Sequence, residues 1–381
     1  MRKVCLIGPA HPLRGGIANF SECLAAAFKN KGYTVTMVSY SMQYPRFLFP
    51  GKTQHVSGPA PSTLRDIGIH TLINSINPWT WIRSAWQVKK IQPDFVLIAH
   101  FHPFFLPSSL VLAIVLRIVH IPTFAFLHNV QPNAHGIRMN WLLYLFLRTC
   151  RGSIVTSSSA RKQIQKLCKN RPILTVFHPP YSEKFGTKID RIIARQQLHM
   201  DTEGKYLLFF GLIRPYKGLD ILLRALADPR LRAMDVRLII AGECYMDEQY
   251  FHATVRELQL LDRVQFFTHF IERQEASLYF SAADLLIQPY RFLSSQSAVT
   301  ALAYHFNMPV IVTNVGGLPE QVPHGKTGFV VEPNATSIAN SIVDFYTNGA
   351  PKTFQKNIEQ YKKEHSWSVL AERIDVFCSG E

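Results

Sequence analysis

Two cations set three residues apart, Arg214 and Lys217, stand directly behind the apolar run 206–210 and ahead of an amphipathic stretch at 221–226. At such a strand-to-helix junction a guanidinium can grip two phosphate oxygens side by side, while an ammonium neutralises them as a point charge. A departing nucleoside diphosphate needs that neutralisation where no metal supplies it. A lone Arg and a lone Lys would read as solvated surface cations. The setting, with Gly211 at the strand end and Gly218 before the helix, favours the diphosphate reading.

A second junction spans 8–17, where Gly15 and Gly16 lie between the first apolar run and a helix starting near Ala18. Paired glycines let backbone N–H groups approach an anion, and the helix N-terminus adds favourable partial charge. It is not a dinucleotide fingerprint. There is no G-x-G-x-x-G, and the second strand closes on Ser39-Tyr40-Ser41 without an acid. Taken alone, a tight turn explains it equally well.

Short β-branched and aromatic runs alternate with helix-length stretches along the whole chain. They fall at 3–7, 34–39, 95–98, 123–127 and 152–156, then at 206–210, 236–241, 264–267, 285–288, 310–313 and 328–331. This pattern predicts parallel sheets covered on both faces, with ligands beyond the C-terminal strand ends. A chain of 381 residues that is 47% hydrophobic suits two such domains. The break is expected near His178-Pro179-Pro180, giving a first domain over 1–180 and a second over 181–355. The six cysteines are scattered, without metal-ligand spacing, and read as thiols in a reducing compartment.

The net charge of +15 is unevenly divided. Residues 1–185 hold 21 Lys and Arg against 4 Asp and Glu, a balance of +17; the remainder holds 20 against 22, a balance of −2. A field of that kind attracts anionic partners. The basic residues are dispersed and form no nucleic-acid-binding motif, so an anionic membrane face is favoured over nucleic acid or a merely solvated surface. Two apolar stretches, 104–121 and 140–148, bear on this. The first is interrupted by Pro107, Arg117 and His120 and reads as a buried helix; the second reads as a core or an interfacial helix.

The stretch Gly211-Leu212-Ile213-Arg214-Pro215-Tyr216-Lys217-Gly218 resembles the strand–Arg–Lys-Gly element of glycosyltransferase family 4. So do Ala241-Gly242-Glu243, the run 310–320 ending Gly316-Gly317-Leu318-Pro319-Glu320, the segment 324–331, Leu127-His128-Asn129 and the tail at Ser366-Trp367. The resemblance implies an α/β GT-B fold of two Rossmann-like βαβ domains facing across a cleft, with 356–381 crossing back onto the first. It implies a retaining enzyme that needs no metal or other cofactor. Arg214 and Lys217 would hold the donor diphosphate, with Gly15 and Gly16 facing it from the acceptor domain and Gly211 at the strand end. His128 would serve the transferred sugar, and Glu243, Phe270 and Ile271 the nucleotide base. His100, His102 and His135 are acceptor-side candidates.

One departure stands out. The family carries two glutamates eight positions apart, and counting back from Pro309 puts Ser294 and Leu302 in their places. The stretch Gln296-Ser297-Ala298-Val299 keeps the small residues of a helix start, whose N–H groups are expected to meet phosphate oxygens. Leu302 cannot hold a ribose hydroxyl, so Gln296 or the backbone is expected to do so. The expected function is transfer from a UDP- or GDP-sugar to a glycan or polyprenyl-pyrophosphate-linked acceptor, in surface polysaccharide assembly at the inner face of the cytoplasmic membrane. The alternative is a catalytically silent sugar-nucleotide binding subunit at that surface.

Overall fold

The computed structural model describes residues 2–49, 51, 53–56, 59, 61–130, 137–181, 185–292, 295–348 and 351–380, with backbone alone at 137–140 and 351–352. The chain forms two compact units, Met1–Phe177 with Ser366–Glu381, and His178–His365.

The first unit is a parallel sheet of β1 (Lys3–Ile7), β2 (Thr34–Met42), β3 (Gly68–Asn74), β4 (Phe95–His100), β5 (Thr123–Leu127), β6 (Gly152–Val155) and β7 (Ile173–Thr175). Their order is β3-β2-β1-β4-β5-β6-β7. The central strands are continuous apolar runs because both faces are covered. On one face Trp81, Leu112, Phe146 and Ile164 seal the helices Pro78–Ile91, Leu106–Ile118, Ile137–Thr149 and Ser158–Leu167 to the sheet. On the other, Phe20, Phe28, Leu370 and Ile374 do so for Gly16–Asn30 and Trp367–Ser379. An Arg2–Asp375 ion pair at 2.8 Å ties the last helix to the first strand.

Sequence patterning misses β3. It is an edge strand whose residues are mostly exposed or half-buried, so it carries no apolar run to detect. The apolar stretch at 104–121 folds as a helix of 13 residues, Leu106–Ile118. Among the described residues no helix is long and apolar enough to cross a membrane.

The second unit is a parallel sheet of β8 (Lys205–Phe210), β9 (Val236–Ala241), β10 (Val264–Phe267), β11 (Leu285–Gln288), β12 (Val310–Thr313) and β13 (Gly328–Val331), in the order β10-β9-β8-β11-β12-β13. This unit runs to His365 rather than to residue 355. The helix Pro351–Glu364 belongs to it, because Phe354, Ile358 and Tyr361 need its core for cover, with Tyr361 against Tyr304 at 5.0 Å.

Gly328, inside the segment 324–331, pairs with Val310 so closely that a Cβ there would lie 1.9 Å from the Val310 carbonyl oxygen. Backbone cannot yield as a side chain can. Gly328→Ala is therefore expected to cost about 1–3 kcal/mol as an overpacking change, read as a lowered midpoint of denaturant unfolding.

Candidate active site

Beyond the ends of β8 and β9 the two strands continue as a short ladder. Ile213 N–H donates to Glu243 O and Tyr245 N–H to Ile213 O, both at 3.0 Å. Gly211 and Gly242 both have positive φ, and a Cβ on Gly242 would lie 2.4 Å from the Gly211 oxygen. Only glycine permits that approach. The ladder carries Arg214 out to solvent, with its guanidinium over the Tyr245 ring at 5.0 Å. A cation held on an aromatic face keeps its N–H edge available for a ligand.

Lys217 turns the other way, into the protein. Its ammonium lies beside Gly211 and Val299: a Cβ placed on Gly211 would be 3.0 Å from Lys217 Nζ and 3.4 Å from a Val299 methyl. The residue is 6% exposed. Its hydrogen bond, to Phe210 O at 3.5 Å, is at the outer limit of such contacts, and the Tyr290 ring lies 5.5 Å away. Burial, with a smaller push from Arg214, brings its pKa down to about 7. A buried ammonium this weakly partnered is poised for an anion.

The loop is braced from outside. Gly218 is left-handed at φ 68, and a Cβ there would lie 2.0 Å from Pro289 O. Arg291 donates to both Asp220 carboxylate oxygens, at 2.9 and 2.5 Å, and to Pro215 O at 2.8 Å. Tyr216 is thereby held against Tyr290 and Phe292.

The helix Ala298–His305 begins next to Lys217, as the sequence implies, but its first amides are not all free. Ser297 N–H donates to Gln321 Oε1 at 2.8 Å, and Val299 N–H to Ser297 Oγ at 3.2 Å. The expectation of three open amides is corrected to Ala298, since capping occupies its neighbours. Gln296 Oε1 accepts from His178 N–H at 2.6 Å, so that oxygen secures the chain entering this unit. Leu302 is buried in the core. Ser294 and His135 lie outside the described residues.

Beneath the helix start is a layer that sequence reasoning overlooked. Gln288 donates to Ser297 Oγ at 2.8 Å and to Tyr290 Oη at 3.0 Å, and accepts from Thr300. Gln321 returns a bond to Ser297 O at 3.0 Å. The one available signal was an amide ending the apolar strand Leu285–Gln288. Glu243 is buried beside the ladder, while Phe270 and Ile271 are half-buried beyond β10.

In the first unit Gly15, at φ 118, caps the helix Gly16–Asn30 with nothing near its Cβ position. His128 follows β5, its N–H donating to His100 O at 2.8 Å and its ring packed against Phe20 and Phe126 at 4.8 and 4.6 Å. His100 is buried and its Nδ1 finds no hydrogen-bond partner among the described residues; burial lowers its pKa to about 4, so it is neutral at ordinary pH. His102 uses Nδ1 to cap the turn Pro103–Phe105, accepting from Phe104 N–H at 3.2 Å, which is a structural task.

Two parallel α/β units, the second bearing an Arg–Lys pair at a strand end beside a helix start, define the GT-B class of glycosyltransferase folds. The solved structures with this fold include HepE of Anabaena (TM-score 0.75, 18% identity, 100% of both chains) and sucrose-phosphate synthase of Thermosynechococcus elongatus (TM-score 0.75, 18% identity, 98% of both). Residues 14–185 match the family model Glycosyltransferase Family 4, and residues 190–365 match Glycosyl transferases group 1. The D-inositol 3-phosphate glycosyltransferase of Mycobacterium sp. (strain KMS) is 30% identical over 208 residues, covering 53% of this chain and 46% of that protein. The chain thus spans about half the length of the curated relatives it matches. It belongs to glycosyltransferase family 4.

Gln321→Leu leaves the Ser297 N–H buried without its partner, while the Ser297 carbonyl keeps the Ala301 N–H at 3.2 Å. It is expected to cost about 1–3 kcal/mol, the scale for one orphaned buried group, measured by urea unfolding.

Proposed function

We propose that the chain transfers a sugar from a UDP- or GDP-sugar, with retention and without a metal, to a glycan or lipid-linked acceptor in surface polysaccharide assembly at a membrane face. The observation that carries this is Lys217: a buried ammonium, lacking a carboxylate partner among the described residues, beside Gly211, Val299 and the exposed Arg214. A diphosphate completes it. Anabaena HepE, whose fold this chain shares, has been solved with UDP-glucose, which supports a nucleotide-sugar ligand.

In the reaction the bond between the sugar C1 and the diphosphate oxygen breaks, and a bond from the acceptor oxygen to C1 forms on the same face. The acceptor proton passes to the departing diphosphate. Lys217 and Arg214 stabilise the charge growing on that leaving group, and the Ala298 N–H adds a dipole. The transition state has oxocarbenium character, and His128 hydrogen-bonds the transferred sugar. Leu302 in the core leaves no carboxylate for the ribose at the family's position. That feature favours the rival reading, a silent sugar-nucleotide binding subunit, and slow donor hydrolysis separates the two because a binder releases no sugar.

A thermal-shift series with UDP-, GDP- and ADP-sugars is the direct test, since a ligand of the native state raises its stability. A UDP- or GDP-sugar is expected to raise the melting temperature, and no shift with any of the three would sink the proposal. Lys217→Ala is expected to lower transfer about 10²–10³-fold, the scale for losing one preorganised charge-stabilising donor, in a protein that stays folded. Near wild-type turnover would remove Lys217 from the mechanism.

The pH dependence has a definite sign. Free Lys217 releases its proton above about pH 7, whereas a bound diphosphate keeps it charged, so binding takes up a proton above that point. Donor affinity is expected to fall by about tenfold per pH unit as pH rises above the free value. Isothermal titration in buffers of different ionisation enthalpy reads the proton uptake, and Lys217→Ala should abolish it.

A further inference from the structure

The first unit has a basic cluster at the N-terminal ends of its strands, opposite to the ends that carry Gly15, His100 and His128. Here β5 and β6 begin, joined by Arg151 N–H to Thr123 O at 2.8 Å, and the helices Leu106–Ile118 and Ile137–Thr149 end. Between them lies a cavity of about 580 Å³ lined by Arg117, His120, Arg148, Arg151 and Arg171, with no carboxylate in its wall among the described residues.

Two of these arginines have structural tasks. Arg117 Nη1 donates to Arg148 O at 3.3 Å, and Arg171 Nη2 to Leu147 O and Arg148 O at 3.2 Å. Both cap carbonyls at a helix C-terminus, where positive charge is favourable. That accounts for two cations and not for four. Among the described residues the Arg148 side chain has only the Tyr144 ring, 5.8 Å away, and the Arg171 Nε is buried without a partner. Four guanidiniums around a carboxylate-free cavity repel one another until an anion enters.

The surroundings of the cavity indicate where that anion resides. On the same two helices Ile114 and Ile118 are exposed, Ile118 at 67%, and Trp141, nearer the start of its helix, is 60% exposed. The neighbouring helix Pro78–Ile91 turns Trp79, Ile82 and Trp86 outward, Trp79 at 79% exposure, and Lys89 Nζ sits 4.6 Å from the Trp86 ring. Three helices packed side by side thus show tryptophan and isoleucine interleaved with Arg and Lys. A site for free phosphate has no use for exposed tryptophans. At a bilayer interface, indole rings sit at headgroup level and basic side chains snorkel to the phosphates.

We propose that this helical face is a membrane-binding surface, and that its arginine cavity takes the phosphate of an anionic phospholipid headgroup. The inference rests on the membrane part of the proposed function and is independent of the donor site, which lies in the other unit.

The test is sedimentation of the full chain with phosphatidylcholine vesicles, alone or mixed with phosphatidylglycerol. Binding is expected only to the mixed vesicles. Arg148→Gln with Arg151→Gln spares both capping arginines and is expected to weaken that binding about thirtyfold, from the worth of two cations near an anionic surface. Trp79→Ser with Trp141→Ser is expected to weaken it as well. Each variant's melting temperature and its shift with a nucleotide sugar should match the parent, which separates loss of the surface from unfolding or from failure of the donor reading. Variants that sediment like the parent overturn the proposal. So does stabilisation by inorganic pyrophosphate in a protein that ignores both kinds of vesicle, which would mark a site for soluble anions.

Discussion

An ammonium group buried without a counter-charge is unfavourable, and the second unit holds one such group, with no carboxylate partner among the described residues, at the end of β8. Lys217 can be there because Gly211 has no side chain to occupy its space and because a helix begins close by. Gly218 then lets the loop turn against Pro289, and the Arg291–Asp220 pair clamps it from the solvent side. The cost of keeping Lys217 dry appears as its pKa of about 7. The same burial strengthens its attraction for a ligand anion, because a charge held away from water is poorly screened.

The helix that begins beside Lys217 is held at its start by side-chain amides. With Leu302 in the core, the helix start is positioned by neutral amides: Gln288 grips the Ser297 hydroxyl, and Gln321 grips the Ser297 backbone on both sides. Glutamine positions without adding charge, so the positive field at the strand end is preserved.

In the first unit one sheet serves two ends. Its C-terminal strand ends carry the glycine loop and the histidines, while the opposite strand ends gather four arginines around a cavity. The lopsided charge of the sequence therefore has a local expression: cations concentrated where helices end.

The fold was largely legible from the amino-acid order. Parallel strands covered on both faces must be unbroken apolar runs, and runs such as Val4-Cys5-Leu6-Ile7 and Val310-Ile311-Val312 declare themselves. The strand β3 did not, since an edge strand need not be apolar, and neither did the helix Pro351–Glu364, whose allegiance depends on which core covers Phe354 and Ile358. The Arg214–Lys217 pair and its glycines were equally plain as a strand-to-helix junction, because residue type and spacing are local features. Sequence alone could not tell that Arg214 would point to solvent and Lys217 inward, that Gln296 would hold His178, or that Gln321, some two dozen positions along the chain, would consume the Ser297 amide. Those outcomes depend on which buried hydrogen-bond partners come within reach. That is settled only when distant segments pack, whereas periodicity and residue type act locally and are written in the chain itself.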